Sequence, residues 1–173
     1  MDVRYPGLTR KSLHQVIRAQ EIHPMKLLYF EDYQVGQIIS APGSYLVEKE
    51  ELIEFASKWD PQPFHIDEEA ASNSIYGGLT APAIYTTAVS GWLGNSIEPK
   101  GAFMAGLGWY SIEFPNPVRP GDRLSLSSVV KEVRESGTRN DRGIVRFANV
   151  IKNQKGEAVL QSEIATLVAR RPI

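Results

Sequence analysis

Apolar positions along the chain change period several times, and each change marks an element. "TRKSLHQVIRAQE" sets Leu13, Val16 and Ile17 on one helical stripe, with Thr9 or Ser12 as cap. "QIISAPGSYLVEKE" reads as two short extended pieces broken at Pro42-Gly43. "KEELIEFASKW" returns to helical spacing, with Leu52, Ile53, Phe55, Ala56 and Trp59 on one face. In "DEEAASNS" Asp67 caps a short helix whose positive end suits Glu68 and Glu69.

After Gly77-Gly78, "APAIYTTAVSGWLGN" starts with a proline near the first helical position and is apolar on most sides. Ile84, Tyr85, Ala88, Val89, Trp92 and Leu93 predict a helix wrapped on several sides at the centre of the core. Four strand-like runs follow: "AFMAGLGWYSIEF", "RLSLSSVVKEV", "IVRFANVIKN" and "AVLQSEIATLVAR". Leu124, Leu126, Ser128 and Val130 alternate in the second. Short connections favour an antiparallel meander. One long buried helix followed by consecutive strands predicts an α+β fold, a curved antiparallel sheet wrapped around that helix.

The 173 residues suit a single domain over 25–173, preceded by a different extension over 1–24. That extension reads as a helical arm, a reach toward a partner subunit, or a non-native start before Met25. Asp2 and Glu21 argue against a transit peptide, and the first residues lack the apolar stretch of a signal peptide. A net charge of −1 argues against a nucleic-acid partner, and no apolar run approaches a membrane span. The chain has no cysteine, which excludes disulfides and thiolate chemistry and suits a cytoplasmic home.

Candidate chemistry gathers in "KWDPQPFHID". His65 is one of three histidines. Pro61 and Pro63 stiffen the spacer between it and Asp60, on a segment expected to be neither helix nor ordinary strand. A stiff acid and imidazole among apolar side chains could share one water between a base and an acid. Residue types alone fit a turn, a cap and a structural histidine as well. A metal held by Asp60, His65 and Asp67 is disfavoured for want of further nitrogen ligands. "YGGLTAPAIYTTAV" adds a glycine turn running into a helix N-terminus. Its free Ala83 and Ile84 N–H groups could face an anion or oxyanion, although glycines there also simply make a turn.

"FEDYQVGQ", "FASKWDPQPFHIDEEAA", "YGGLTAPAIYT" and "PNPVRPGDRL", in that order, resemble the MaoC-like dehydratases, relatives of (R)-specific enoyl-CoA hydratases. The resemblance runs from about Tyr29 to the C-terminus. It implies a hot-dog fold, dimerised sheet edge to sheet edge, and reversible addition of water to an enoyl thioester. Asp60 and His65 would then be catalytic and the Ala83 N–H the oxyanion donor, with Tyr76, Gly78 and Pro82 binding substrate. No cofactor or metal is implied, the coenzyme A thioester being substrate. Ala83 stands where the family usually has glycine, Pro82 where serine or histidine is common, and Gln62 where asparagine is commoner.

The same fold also carries acyl-CoA thioesterases and would suit a non-catalytic acyl-thioester-binding subunit. Lys131, Arg134, Arg139, Arg142, Arg146, Lys152 and Lys155 could form a collar for coenzyme A phosphates. The solvated face of a hairpin is the favoured reading of those charges.

Overall fold

The computed structural model describes residues 26–172. The helix expected between Thr9 and Glu21, and the extension 1–24, lie outside the described residues.

Among the described residues six strands, β1 (Ile38–Ser40), β2 (Tyr45–Leu46), β3 (Phe103–Glu113), β4 (Arg123–Glu135), β5 (Arg142–Lys152) and β6 (Ala158–Ala169), form one sheet. Every pairing is antiparallel, in the order β1-β4-β5-β6-β3, with β2 also against β4. The expected meander holds for β4, β5 and β6. β3 departs from it, pairing with β6 at the far edge instead of with β4. The connection Phe114–Asp122 contains three prolines and cannot close a tight hairpin. Its backbone is committed elsewhere, Val118 O accepting from Ala81 N (2.9 Å) and Asp122 O from Val47 N (2.9 Å).

Among the described residues four α-helices accompany the sheet: α1 (Lys49–Trp59), α2 (Pro63–Ile66), α3 (Glu68–Ser72) and α4 (Ala83–Asn95). Tyr85, Val89 and Leu93 of α4 pack on Leu124, Leu126, Ile151 and Leu160 of the sheet. Each such fully buried side chain contributes about 1.5–3 kcal/mol. An antiparallel sheet around one long helix is the hot-dog fold. Leu52 and Ala56 seat α1 in the same cluster of side chains or beside it, and Phe55 meets the Tyr85 ring edge-on at 5.3 Å.

Two core expectations need correction. Trp59, at the last residue of α1, lies beyond the packed turns and is 60% exposed. α4 is covered on several sides as expected, by the sheet and by α1, but two residues counted in its apolar surface, Ile84 and Trp92, stay 47% and 55% exposed.

A second apolar cluster joins Phe30 and Tyr33 to Val130, Val145, Phe147 and Val168. Between the two clusters runs a polar row, Ser128 opposite Asn149 opposite Ser162, in register across β4, β5 and β6.

Candidate active site

α1 stops at Asp60, whose N–H still donates to Ala56 O (2.8 Å) while Pro61 prevents continuation. The following segment was expected to be neither helix nor strand, yet Pro63–Ile66 makes one helical turn. Pro63 occupies the first helical position, where its missing N–H costs nothing. That turn carries His65 inward, to 7% exposure.

His65 Nδ1 lies 2.6 Å from Thr80 O. A carbonyl can only accept, so Nδ1 bears the proton, and Nε2 of the neutral ring keeps its lone pair toward the cavity. Thr80 N in turn donates to Phe64 O (3.2 Å), so two reciprocal bonds clip the imidazole segment to the extended residues entering α4. Two residues on, Pro82 is the N-cap of α4, its carbonyl accepting from Tyr85 N (3.0 Å) and Thr86 N (3.2 Å). The Ala83 and Ile84 amides have no partner among the described residues, as the first turn of a helix leaves them.

His65 Nε2 stands 3.7 Å from Asp60 Oδ2. That is too long for a direct hydrogen bond and suited to a water held by both groups. The Asp60 side chain is 36% exposed and the imidazole 9%, so the carboxylate meets solvent where the ring does not. Both border a cavity of about 530 Å³, together with Tyr76, Thr80, Ala83 and Thr86. The geometry therefore brings Asp60, His65, Tyr76 and Ala83 to one space. Gly78 and Pro82 do not line it: the Gly78 carbonyl is held from behind, and Pro82 is fully buried as a cap. Asp67 is turned to α3, its Oδ1 accepting from Ala70 N at 2.7 Å. Among the described residues no three histidine or carboxylate side chains gather as metal ligands.

Arg119, absent from the expected site, holds its back wall. Its guanidinium donates to the carbonyls of Gly78 (2.6 Å), Leu79 (3.0 Å) and Tyr76. These carbonyls belong to the turn in which Gly77 and Gly78 take φ of 62° and 155°, the region that favours glycine. Asp122 anchors Arg119, accepting from its backbone N–H at 2.7 Å, and Gln154 Nε2 donates to the other Asp122 oxygen at 3.0 Å. An arginine between prolines beside a Gly-Asp turn was the available signal. Nothing local in the sequence pointed it at residues 76–79.

On the β4–β5 hairpin, Arg146 binds Glu132 (3.0 Å) and Glu163 (2.6 Å), and Arg142 pairs with Asp141 (2.6 Å). Those cations are matched within the chain, in keeping with a solvated hairpin face.

Residues 32–150 match the family described as MaoC like domain. The chain belongs to this MaoC-like family. A solved MaoC-like dehydratase from Rhodospirillum rubrum is 39% identical, with a TM-score of 0.79 over 84% of this chain and 99% of that one. An uncharacterized Bacillus subtilis protein, YdeM, is 31% identical over 147 residues, 81% of this chain and 98% of its own length. A 3-hydroxybutyryl-CoA dehydratase of Methylorubrum extorquens is 28% identical over 113 residues, 63% of this chain and 68% of its own. Among the described residues no helix is long and apolar enough to cross a membrane.

Proposed function

We propose that the chain is an (R)-specific enoyl-CoA hydratase, equally a 3-hydroxyacyl-CoA dehydratase, acting as a homodimer. The observation that carries this reading is the 3.7 Å gap between His65 Nε2 and Asp60 Oδ2, opening on the same cavity as the Ala83 amide. A water in that gap donates one hydrogen to each group. Asp60 takes a proton as the water oxygen attacks the β-carbon of the enoyl thioester. The electron pair moves to the thioester oxygen, where the Ala83 N–H meets the growing negative charge. Asp60 then returns the proton to the α-carbon on the same face, giving syn addition, and dehydration is the reverse. A single donor of this kind contributes about 2.7–4 kcal/mol in comparable sites. Similarity to a 3-hydroxybutyryl-CoA dehydratase supports the substrate class.

The dimer rests on β3. One edge pairs with β6 and the other has no partner among the described residues. Phe103, Met104, Leu107, Trp109, Tyr110 and Ile112 are 39–63% exposed along it. An unpaired strand this long and apolar invites a second copy of itself, extending the sheet across a two-fold axis. Phe114, just past the end of β3, borders the active-site cavity, so a partner on that edge would stand beside the reaction.

The test is crotonyl-CoA with the full chain. Loss of the double-bond absorbance, without free thiol and with an (R)-3-hydroxy product, is expected. Release of thiol instead would make the protein a thioesterase, and binding without turnover a non-catalytic acyl-thioester subunit.

A further inference from the structure

Helix α4 carries a single stripe of small side chains, Ala83, Thr86, Ser90 and Gly94, spaced three and four apart. Ala83 and Thr86 border the active-site cavity. Ser90 and Gly94 border a second cavity of about 510 Å³ between α4 and the sheet. Its walls are apolar, from Leu126, Phe147, Ile164 and Trp109, but Ser128 and Asn149 also line it.

Those two belong to the polar row that divides the core. Ser128 Oγ donates to Asn149 Oδ1 at 2.7 Å, which leaves the Asn149 amide nitrogen without a partner among the described residues. Beside it, on the same face of β6 as cavity-lining Ile164, Ser162 is 4% exposed and its buried hydroxyl also lacks a partner. Buried polar groups are nearly always paired, so free hydrogen-bonding capacity on an apolar floor calls for a ligand. Among the described residues Lys100 is the one charged residue lining the cavity, and its ammonium is engaged by Glu98 at 3.0 Å. Among the described residues the floor therefore offers the Asn149 amide, with the Ser162 hydroxyl beside it behind the lining and no free counter-ion.

We propose that Asn149, held by Ser128 and with Ser162 beside it in the row, recognises a neutral hydrogen-bonding group, a hydroxyl or carbonyl, far along the acyl chain of the thioester substrate. This rests on the function proposed above, with the chain running along the α4 stripe from Ala83 to Ser90. The helix rises 1.5 Å per residue, so Ser90 lies about 10 Å beyond Ala83. Carbon–carbon bonds of about 1.5 Å, advancing roughly 1.25 Å each in an extended chain, place the group about eight bonds from the thioester carbonyl.

The experiment is calorimetric titration of the full chain with octanoyl-CoA, 8-hydroxyoctanoyl-CoA and suberoyl-CoA. The hydroxylated chain is expected to bind about tenfold more tightly than the plain one. Asn149→Leu should abolish or reverse that preference. Ser162→Ala, which removes only an unpaired hydroxyl and so spares the fold, should narrow it. Equal affinities in the unaltered protein, preference for the terminal carboxylate, no binding of any of the three, or a preference intact in both variants would each overturn the proposal. Crotonyl-CoA is too short to reach the row, so its hydration tests the enzyme reading separately. Should it not be hydrated, that reading fails while the binding comparison still decides the role of the row.

Discussion

Asp60 and His65 should separate under mutation, although they face one another. The Asp60 carboxylate makes no hydrogen bond among the described residues and is about a third exposed, its place being fixed by backbone bonds to Ala56 and Gln62. Asp60→Asn preserves shape and removes only the capacity to take a proton. Stability should stay within about 0.5 kcal/mol of the unaltered chain. Turnover should fall by about 10²–10⁴, the usual contribution of a positioned base, or roughly 3–5.5 kcal/mol of barrier.

His65→Ala differs because the imidazole also satisfies Thr80 O, in a residue only 3% exposed. Leaving that carbonyl unpaired costs about 1–3 kcal/mol beyond any lost packing. In a domain of this size that lowers the melting temperature by roughly 2–4 °C per kcal/mol. Crotonyl-CoA hydration and thermal unfolding, measured on both variants, resolve the two effects. Turnover of Asp60→Asn within tenfold of the unaltered protein, or a loss of stability matching that of His65→Ala, would refute the reasoning.

Arg119→Ala strips three carbonyls of their donor and should lower both melting temperature and kcat. Arg119→Lys, which cannot fork, should recover only part of either. Leu107→Lys with Trp109→Glu charges the free edge of β3 and should give a monomer by analytical ultracentrifugation. Gly143→Ala would drive a methyl into the buried Phe30 ring, costing about 1–3 kcal/mol in denaturant unfolding. At Glu31, burial alone would raise the carboxyl pKa, but its own backbone N–H, the Arg171 N–H and the Arg170 guanidinium together hold it below the usual value. Its contribution is therefore present above the ordinary carboxylate pKa and lost as pH falls through the lowered one. Glu31→Gln should flatten the acid side of a plot of melting temperature against pH and leave the alkaline side unchanged.

Periodicity carried the elements because they are amphipathic: α1 spans Lys49–Trp59 as its apolar spacing predicts, and β4 buries every second residue from Leu124 to Val130. Strand order was less legible, because the partner of β3 depends on where the proline-rich connection goes and not on β3 itself. The turn holding His65 was hidden by the usual reading of proline as a helix breaker, whereas the first helical position accepts it. Gly143 lies just ahead of the apolar run that begins at Ile144, and only the Phe30 ring resting on it explains the residue. Ser128 was visible as one polar residue on an apolar face. That it stands beside Asn149 and Ser162 is a matter of cross-strand register, which no single strand encodes.

Gln154, Asp122, Arg119 and the carbonyls of Tyr76, Gly78 and Leu79 form a relay that ends, through Thr80, on the imidazole. Its first member sits in the tip joining the last two strands, outside both cavities. A side-chain change there would leave both cavity linings intact and still tilt the ring that the proposed mechanism uses to aim the water. Such a lesion would surface as slow turnover with unimpaired substrate affinity, and inspection of the cavity alone would give no reason for it.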